Sequence, residues 1–375
     1  MKVLIAGDFC PRDRVSDLIE LKDFSFFSEV IYFTNNSDFS ILNLEAPVVF
    51  GNGKPISKCG PNLRCTSLAI EAIKYAGFNA VTLANNHIYD FGEKGILDTL
   101  DTLTNCKIEF VGGGKNIQDA SRIFYKEIEG KRLAIINCCE HEFSIATETS
   151  GGANPLNPIQ QYYAIREANK LADYVLVIVH GGHEYYQLPS SRMVESYRFF
   201  IDAGADAVVN HHQHCYSGYE IYKGKPIFYG IGNFCFDSKD KRNGIWNEGY
   251  LVQLSLENNA IDFSLFPYVQ CDKEPRVRFL KTSEGFENEL IRINSIISSQ
   301  KMIKEKLSEF IEIKKRFSMK MFLPYSNRYL QYLSRYRLLP NFITKARAIF
   351  LYNMINCESH RDIILENIRK IFKDE

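Results

Sequence analysis

The chain has 375 residues, and its 45 Lys+Arg balance 45 Asp+Glu, so overall charge points to neither nucleic acid nor an anionic membrane as partner. Hydrophobic residues make up 45% and charged residues 24%, the balance of an ordinary globular protein, long enough for one large domain plus an appendage. No run approaches the ~18 apolar residues of a membrane span; the ten cysteines include no CxxC pair, which speaks against a zinc ribbon and for reduced, mostly buried thiols.

MKVLIAGD opens the chain as a core strand over residues 2–6; it lacks the long apolar stretch and cleavage site of a signal peptide, and a cytoplasmic location is expected on that ground. Further strands are predicted at residues 40–44, 80–83, 133–137, 174–179 and 207–209. Between them, apolar residues at three-to-four spacing predict helices at 67–76, 93–103, 158–171 and 190–203, with cap signals at Thr66 and at Asn157-Pro158. In AIKYAGFNAVTLANN and FFIDAGADAVVN a helix, a glycine and a short buried strand follow one another, the pattern of an α-to-β connection with Gly at the helix C-cap. Residues 50–66 form a Gly/Pro-rich loop. Gly112–Gly114 lack a Walker lysine and are expected to form a turn.

From Tyr216 the pattern becomes antiparallel, with hairpin signals at Lys223-Gly224 and Asn258-Asn259. The expected fold is α/β: a mixed β-sandwich of two sheets packed face to face, flanked by helices. After residue 275 the strand signals vanish. Residues 284–317 and 319–373 read as helical, interrupted at Pro324 and Pro340. A domain over residues 1–275 is therefore expected, with a helical C-terminal extension over 276–375 that can dimerise, lid the site or dock a partner. His360 is expected on its surface.

Seven of the eight histidines close apolar, strand-like runs. His180 and His183 stand in VLVIVHGGHE, His211, His212 and His214 in AVVNHHQH, His87 closes AVTLANNH, and His141 follows Cys138-Cys139. Asp8 closes KVLIAGD, and Glu45 follows FSILNL. The C-terminal edge of buried strands is where α/β sheets assemble sites. Two adjacent divalent cations need about five to seven oxygen and imidazole ligands, one carboxylate bridging them. Asp8, Glu45, Asn86, His180, His212 and His214 supply that inventory, and mixed N/O ligation suits Mn, Zn or Fe. His212 and His214 point the same way if their backbone is extended. Any one of these histidines alone is more simply a satisfied core or loop residue; the set is not.

These residues also carry a resemblance. Gly7-Asp8, Asn43–Glu45, KCGPNLRC around Lys58 and Arg64, TLANNHIYDFG, VHGGHEY, AGADAVVNHHQH and IFYGIGNFCFD run in order over residues 1–240. The chain is similar to the CapA family, named for a poly-γ-glutamate capsule biosynthesis protein, within the calcineurin-like metallophosphoesterase superfamily. The resemblance implies a four-layer sandwich with two metals. Asp8 and His214 would hold one, Asn86, His180 and His212 the other, with Glu45 bridging. It implies that His87 protonates the leaving group, and Asp90 is placed to orient His87. The superfamily's Asp-x-His reads here as Asp8 and Cys10, so one imidazole is missing. His183 is an extra imidazole that can bind substrate, assist catalysis or cap a loop. His211 is unassigned.

Lys58 and Arg64 sit at family-matching positions to neutralise a phosphate or carboxylate; the plainer reading is solvated loop charge. Glu184 and Tyr185 would line the pocket, Glu184 alternatively orienting a histidine, while Asn233 would fix the loop beneath the metals. The expected function is a metal-dependent hydrolase in which activated water attacks a phosphoester, with a small-molecule or polymer substrate linked to capsule or poly-γ-glutamate metabolism. The alternatives are hydrolysis or epimerisation of a peptide or γ-glutamyl amide, or a non-catalytic accessory role in surface-polymer synthesis. Homo-oligomerisation through the C-terminal helices is also open.

Overall fold

The computed structural model describes residues 1–257 and 260–320, then separate stretches between 328 and 368. Two compact units divide at Leu307 and Ser308. In the first, the chain lays down β1 (Lys2–Cys10), β2 (Phe39–Leu44), β3 (Ala80–Thr82) and β4 (Glu109–Val111) side by side and parallel. Between them run α1 (Asp13–Glu20), α2 (Ile31–Asn35), α3 (Leu68–Tyr75) and α4 (Gly92–Cys106). From Val3 onward every residue of β1 is buried, as are all of β2. Parallel strands covered on both faces carry near-continuous apolar runs. This is why the sequence reads VLIA in β1 and is mostly apolar rather than alternating in β2, where the buried Ser40 and Asn43 are hydrogen-bonded.

The chain continues through β5 (Gly113–Gly114), α5 (Ile117–Ala120), β6 (Phe124–Ile128), β7 (Lys131–Cys139), β8 (Gly152–Ala153), α6 (Pro158–Leu171), β9 (Tyr174–His180), α7 (Ser191–Ala203), β10 (Ala207–His211), β11 (Tyr219–Tyr222) and β12 (Lys225–Phe228). Six of these strands make the second sheet in the order β11-β12-β10-β9-β7-β6, parallel at its centre and antiparallel at both edges. The chain then returns to the first sheet as β13 (Asn233–Phe236), β14 (Glu248–Glu257), β15 (Ala260–Gln270) and β16 (Val277–Phe279). The result is a mixed α/β fold with helices flanking its sheets.

Local chemistry sets several joints. Asn157 caps α6, its side chain accepting from the Ile159 and Gln160 amides, and Pro158 takes the first helical turn. Gly204 ends α7 at φ +118°, and Lys223-Gly224 turn the β11–β12 hairpin at φ +52° and +78°. Gly7 is required by close approach: a Cβ there would lie 1.9 Å from Gly232 O on the segment leading into β13. The ladder shifts register at Asp8, a bulge that re-aims the strand end.

Four expectations change. Ser67, not Thr66, precedes α3, and it makes no side-chain cap bond. Gly113–Gly114 are not a turn but pair with β8, only Gly112 taking a left-handed φ of +88°. Strand structure does not stop at residue 275, because β16 pairs with β15. The compact unit also includes α8 (Glu284–Ile297), which buries Leu290, Ile293, Ile296 and Ile297 and takes the Tyr219 amide on Asn294 Oδ1. The boundary therefore falls at 307/308 rather than 275/276. Asn258-Asn259, Pro324 and Pro340 lie outside the described residues, though β14 and β15 pair up to Glu257 and Ala260.

α9 (Gln300–Lys320) runs across the boundary. In the second unit Arg328–Arg335 and Lys345–Asn356 are helical, and His360 Nδ1, half-buried, lies 3.3 Å from Asn353 Nδ2. Among the described residues no helix is long and apolar enough to cross a membrane.

Candidate metal centre

The C-terminal ends of β1, β2, β3, β9 and β10 converge. Asp8 lies on β1 and Glu45 just beyond β2; Asn86 and His87 follow β3, His180 closes β9, and His212 and His214 follow β10. Ligand atoms of Glu45, His180 and His212 lie within 4.8 Å of one another, and so do those of Asp8, Glu45 and His214. Glu45 belongs to both groups. Asn86 Oδ1 lies 3.1 Å from His180 Nε2, which is also 3.1 Å from His212 Nδ1.

The backbone of residues 212–214 is not extended. β10 ends at His211, and His212 and His214 take φ +87° and +55°. Such conformations in non-glycine residues cost of order 1–3 kcal/mol and persist where surrounding bonds over-determine them. Here the His212 amide donates to Asp8 Oδ2 at 3.2 Å, and Asn233 Oδ1 meets His214 Nδ1 at 2.9 Å. Asn233 Nδ2 also donates to His214 O and Trp246 O, so it fixes this loop.

Whether these residues suit a cation is decided by Glu45. Its side chain is fully buried, and neither carboxylate oxygen has a hydrogen-bond partner. A buried carboxylate without donors is costly unless a positive charge compensates it. Burial, then the Asp8 charge, pushes its carboxyl well above the ordinary range. Burial lowers His180 far below the usual imidazole value, with His212 adding to the effect, and burial together with the nearby His214 brings His212 to about 4. Neutral imidazoles present the lone pairs that a cation takes. For Asp8, burial pulls the pKa up but His211, His180 and His214 outweigh it, holding the carboxylate ionised. Donor set and electrostatics fit divalent cations.

Beside the centre, Asp90 is fully buried and its carboxylate serves three partners. Oδ2 lies 2.7 Å from His87 Nδ1 and accepts the Leu63 amide at 2.6 Å, while Oδ1 takes the Lys58 ammonium. Lys58 Nζ also lies 3.1 Å from His87 Nδ1. The Lys58 side chain is only 3% exposed, so it is not a solvated loop charge. Burial lowers His87 below the usual imidazole range, opposed by Asp90 and furthered by Lys58.

The other expected substrate contacts are placed differently. Arg64 is exposed, its guanidinium 5.8 Å from the centre of the Phe91 ring. His183 and Glu184 are exposed, with the His183 ring 6.3 Å from Tyr186. Tyr185 is half-buried, 6.2 Å from the His214 ring and stacked at 5.9 Å on Trp246. His141 is exposed and in neither ligand group. Cys10 is buried in the apolar core, burial pushing its thiol well up, and it joins neither group.

Several site residues escaped the sequence reading. Asn43 donates to Asp8 Oδ1 at 2.8 Å, and its own Oδ1 accepts from Thr82 and Asn85. His211 Nδ1 lies 3.1 Å from Asp8 Oδ1 without hydrogen-bond alignment. Glu142 Oε1 reaches within 3.9 Å of His212 Nε2. Trp246 packs on His214 at 4.7 Å, with Lys241 over its ring. Of these, Asn43 within NLE and His211 within AVVNHHQH stood in a recognised phrase, but neither had been given a role.

A sequence profile described as Bacterial capsule synthesis protein PGA_cap matches residues 2–238. The chain is 32% identical over 269 residues to "Capsule biosynthesis protein CapA" of Bacillus anthracis, covering 69% of this chain and 65% of that one. It is 32% identical over 258 residues to "PGA biosynthesis protein CapA" of Bacillus subtilis (strain 168), covering 68% and 67%. The chain thus spans about two thirds of the length of these curated relatives. A Mycobacterium tuberculosis relative named "Probable polyglutamine synthesis accessory protein" is 28% identical over 224 residues, 54% of this chain and 56% of that one. Among solved structures, a phosphatase from Mycoplasma pneumoniae is similar at TM-score 0.46 and 14% identity, covering 73% of this chain and 95% of that one.

Proposed function

Because the chain belongs to the bacterial capsule synthesis family described as PGA_cap, we propose that it is a metal-dependent hydrolase of surface-polymer metabolism, cleaving a phosphoester with water. The observation that carries this reading is Glu45, buried, without a hydrogen-bond partner and common to both ligand groups. In this reading Asp8, Glu45 and His214 hold one divalent ion and Glu45, Asn86, His180 and His212 a second, with Mn, Zn or Fe the ions the donors favour. When bound, such a pair lowers the pKa of water and stabilises an oxyanion.

The chain's own residues do the rest. Asp90 holds His87 by Nδ1, leaving Nε2 to exchange a proton with the leaving group. Lys58 neutralises Asp90 and fixes the pair's geometry, so it positions His87 rather than meeting solvent. Tyr185, Trp246 and Phe236 wall the His214 side and limit water there.

The test is metal analysis with turnover of phosphomonoester, phosphodiester and γ-glutamyl amide substrates side by side. Metal bound and phosphoester turned over is the expected result; protein that binds no Mn or Zn and stays inert with either added would sink it. Amide turnover alone would move the chemistry to a peptide or γ-glutamyl bond. A second reading, a non-catalytic accessory of polymer synthesis, draws on the Mycobacterium relative's name. It requires that replacing His212 and His214 together leave function in the cell intact.

A further inference from the structure

Lys241 lies in the loop between β13 and β14, and its ammonium rests on two aromatic faces. Nζ is 4.1 Å from the centre of the Trp246 ring and 4.3 Å from that of Tyr185, and it also meets the Tyr185 hydroxyl. Trp246 is held in turn: its Nε1 donates to Phe236 O at 2.8 Å, and its ring packs on His214 at 4.7 Å. The loop is anchored by Asp237, which Arg14 grips through its backbone amide and through two guanidinium nitrogens. Lys241 is thus a cation on a built platform at the wall of the metal centre.

Among the described residues no carboxylate lies within 4 Å of Lys241 Nζ; Glu184 acts on it only from farther away, and Arg12 opposes that. Aromatic faces stabilise an ammonium without neutralising it, and Tyr185 uses one of its three donors. A half-buried ammonium with spare donors beside a hydrolytic centre is suited to an anion. We propose that Lys241, seated on Trp246 and Tyr185, binds an oxyanion of the substrate, a carboxylate or a phosphate, next to the bond that is attacked. This inference rests on the reading of the centre as a substrate site.

Trp246 is the only tryptophan in the chain, so its fluorescence reports directly on this platform. The full chain, metal-loaded, is titrated with inorganic phosphate, with glutarate and with neutral glutaramide at constant ionic strength. Saturable emission changes are expected with one or both oxyanions and none with glutaramide. The tighter oxyanion names the source, phosphate ester or polymer carboxylate. In Lys241→Met, which keeps an unbranched stem over the rings, the midpoint should rise at least about tenfold; Lys241→Arg should keep it within about threefold. An unchanged midpoint in Lys241→Met places the oxyanion elsewhere, on bound metal included, and overturns the proposal. So does an equal response to glutaramide, or no saturable response to either oxyanion. If Lys241→Met loses the buried-tryptophan emission of the wild type, the Lys241→Gln protein takes its place under the same criteria. Turnover is not needed: a protein that binds oxyanions through Lys241 but hydrolyses nothing overturns the hydrolase reading and leaves the anion site at Lys241 standing.

Discussion

Asn43 donates its side-chain amide to Asp8 Oδ1 at 2.8 Å, joining the ends of two neighbouring parallel strands. This bond leaves Asp8 Oδ2 turned toward the loop of His212 and His214. Partners that orient a ligand are worth about 10–100-fold in metal affinity. Asn43→Ala should therefore weaken metal binding by about that factor while the fold is kept. Equilibrium dialysis against a competing chelator measures it, and unchanged affinity would mean that Asp8 needs no such support.

Glu45 predicts a stability signature. Removing metal from the wild type leaves its buried carboxylate without compensation, so chelation should lower the Tm distinctly. Glu45→Gln keeps the shape and removes the charge, so the chelated variant should be more stable than the chelated wild type by about 1–3 kcal/mol, and chelation should change its Tm far less. Differential scanning calorimetry with and without chelator gives all four values. Equal chelator sensitivity in both proteins would contradict the assignment.

Lys58, Asp90 and His87 should separate metal from chemistry. His87→Ala is expected to cut kcat about 10²–10⁴-fold with metal content nearly intact. Lys58→Met should lower kcat by a smaller factor, because Asp90 still holds His87, and leave metal content unchanged. Loss of metal in His87→Ala would show that the ring is a ligand.

Asp237 sets an acid limb. Burial raises its pKa, but the Arg14 hydrogen bonds and charge outweigh that and hold it below the ordinary carboxylate value. A group depressed in the folded state stabilises above its unfolded pKa, about 3.9, and loses that contribution as pH falls through the folded value. Asp237→Asn should cost about 2 kcal/mol near pH 7, less than a fully buried pair because Arg14 is partly exposed. The Tm gap to wild type should close as pH falls below about 4. A gap that stays constant between neutral and acid pH would be falsifying.

Much of the centre was legible because Asp8, Glu45, His87, His180 and His212 each end or follow an apolar run that could only be a covered strand. The strand-end rule then brought them to one edge. Lys241 and Trp246 were not legible, since they sit in an irregular loop with no periodicity, and only tertiary packing sets them against His214. His211 was read as a spare imidazole because its approach to Asp8 depends on how the two sheets pack, not on neighbours along the chain. The end of the first unit was misplaced because β16 spans three residues, too few for alternation to show. The 212–214 loop was misjudged because strand geometry was extended past His211, where positive φ takes over.

Asp8 and Glu45 come from the first sheet, while His180, His212 and His214 come from the second. Neither sheet alone carries a complete coordination set, so a cation bound here would act as a rivet across the two layers. Its binding energy would then enter the cohesion of the whole fold, growing with the logarithm of metal concentration. Metal supply would thus govern how long the protein survives as well as what it can catalyse, and a starved molecule would loosen first along the seam between its layers.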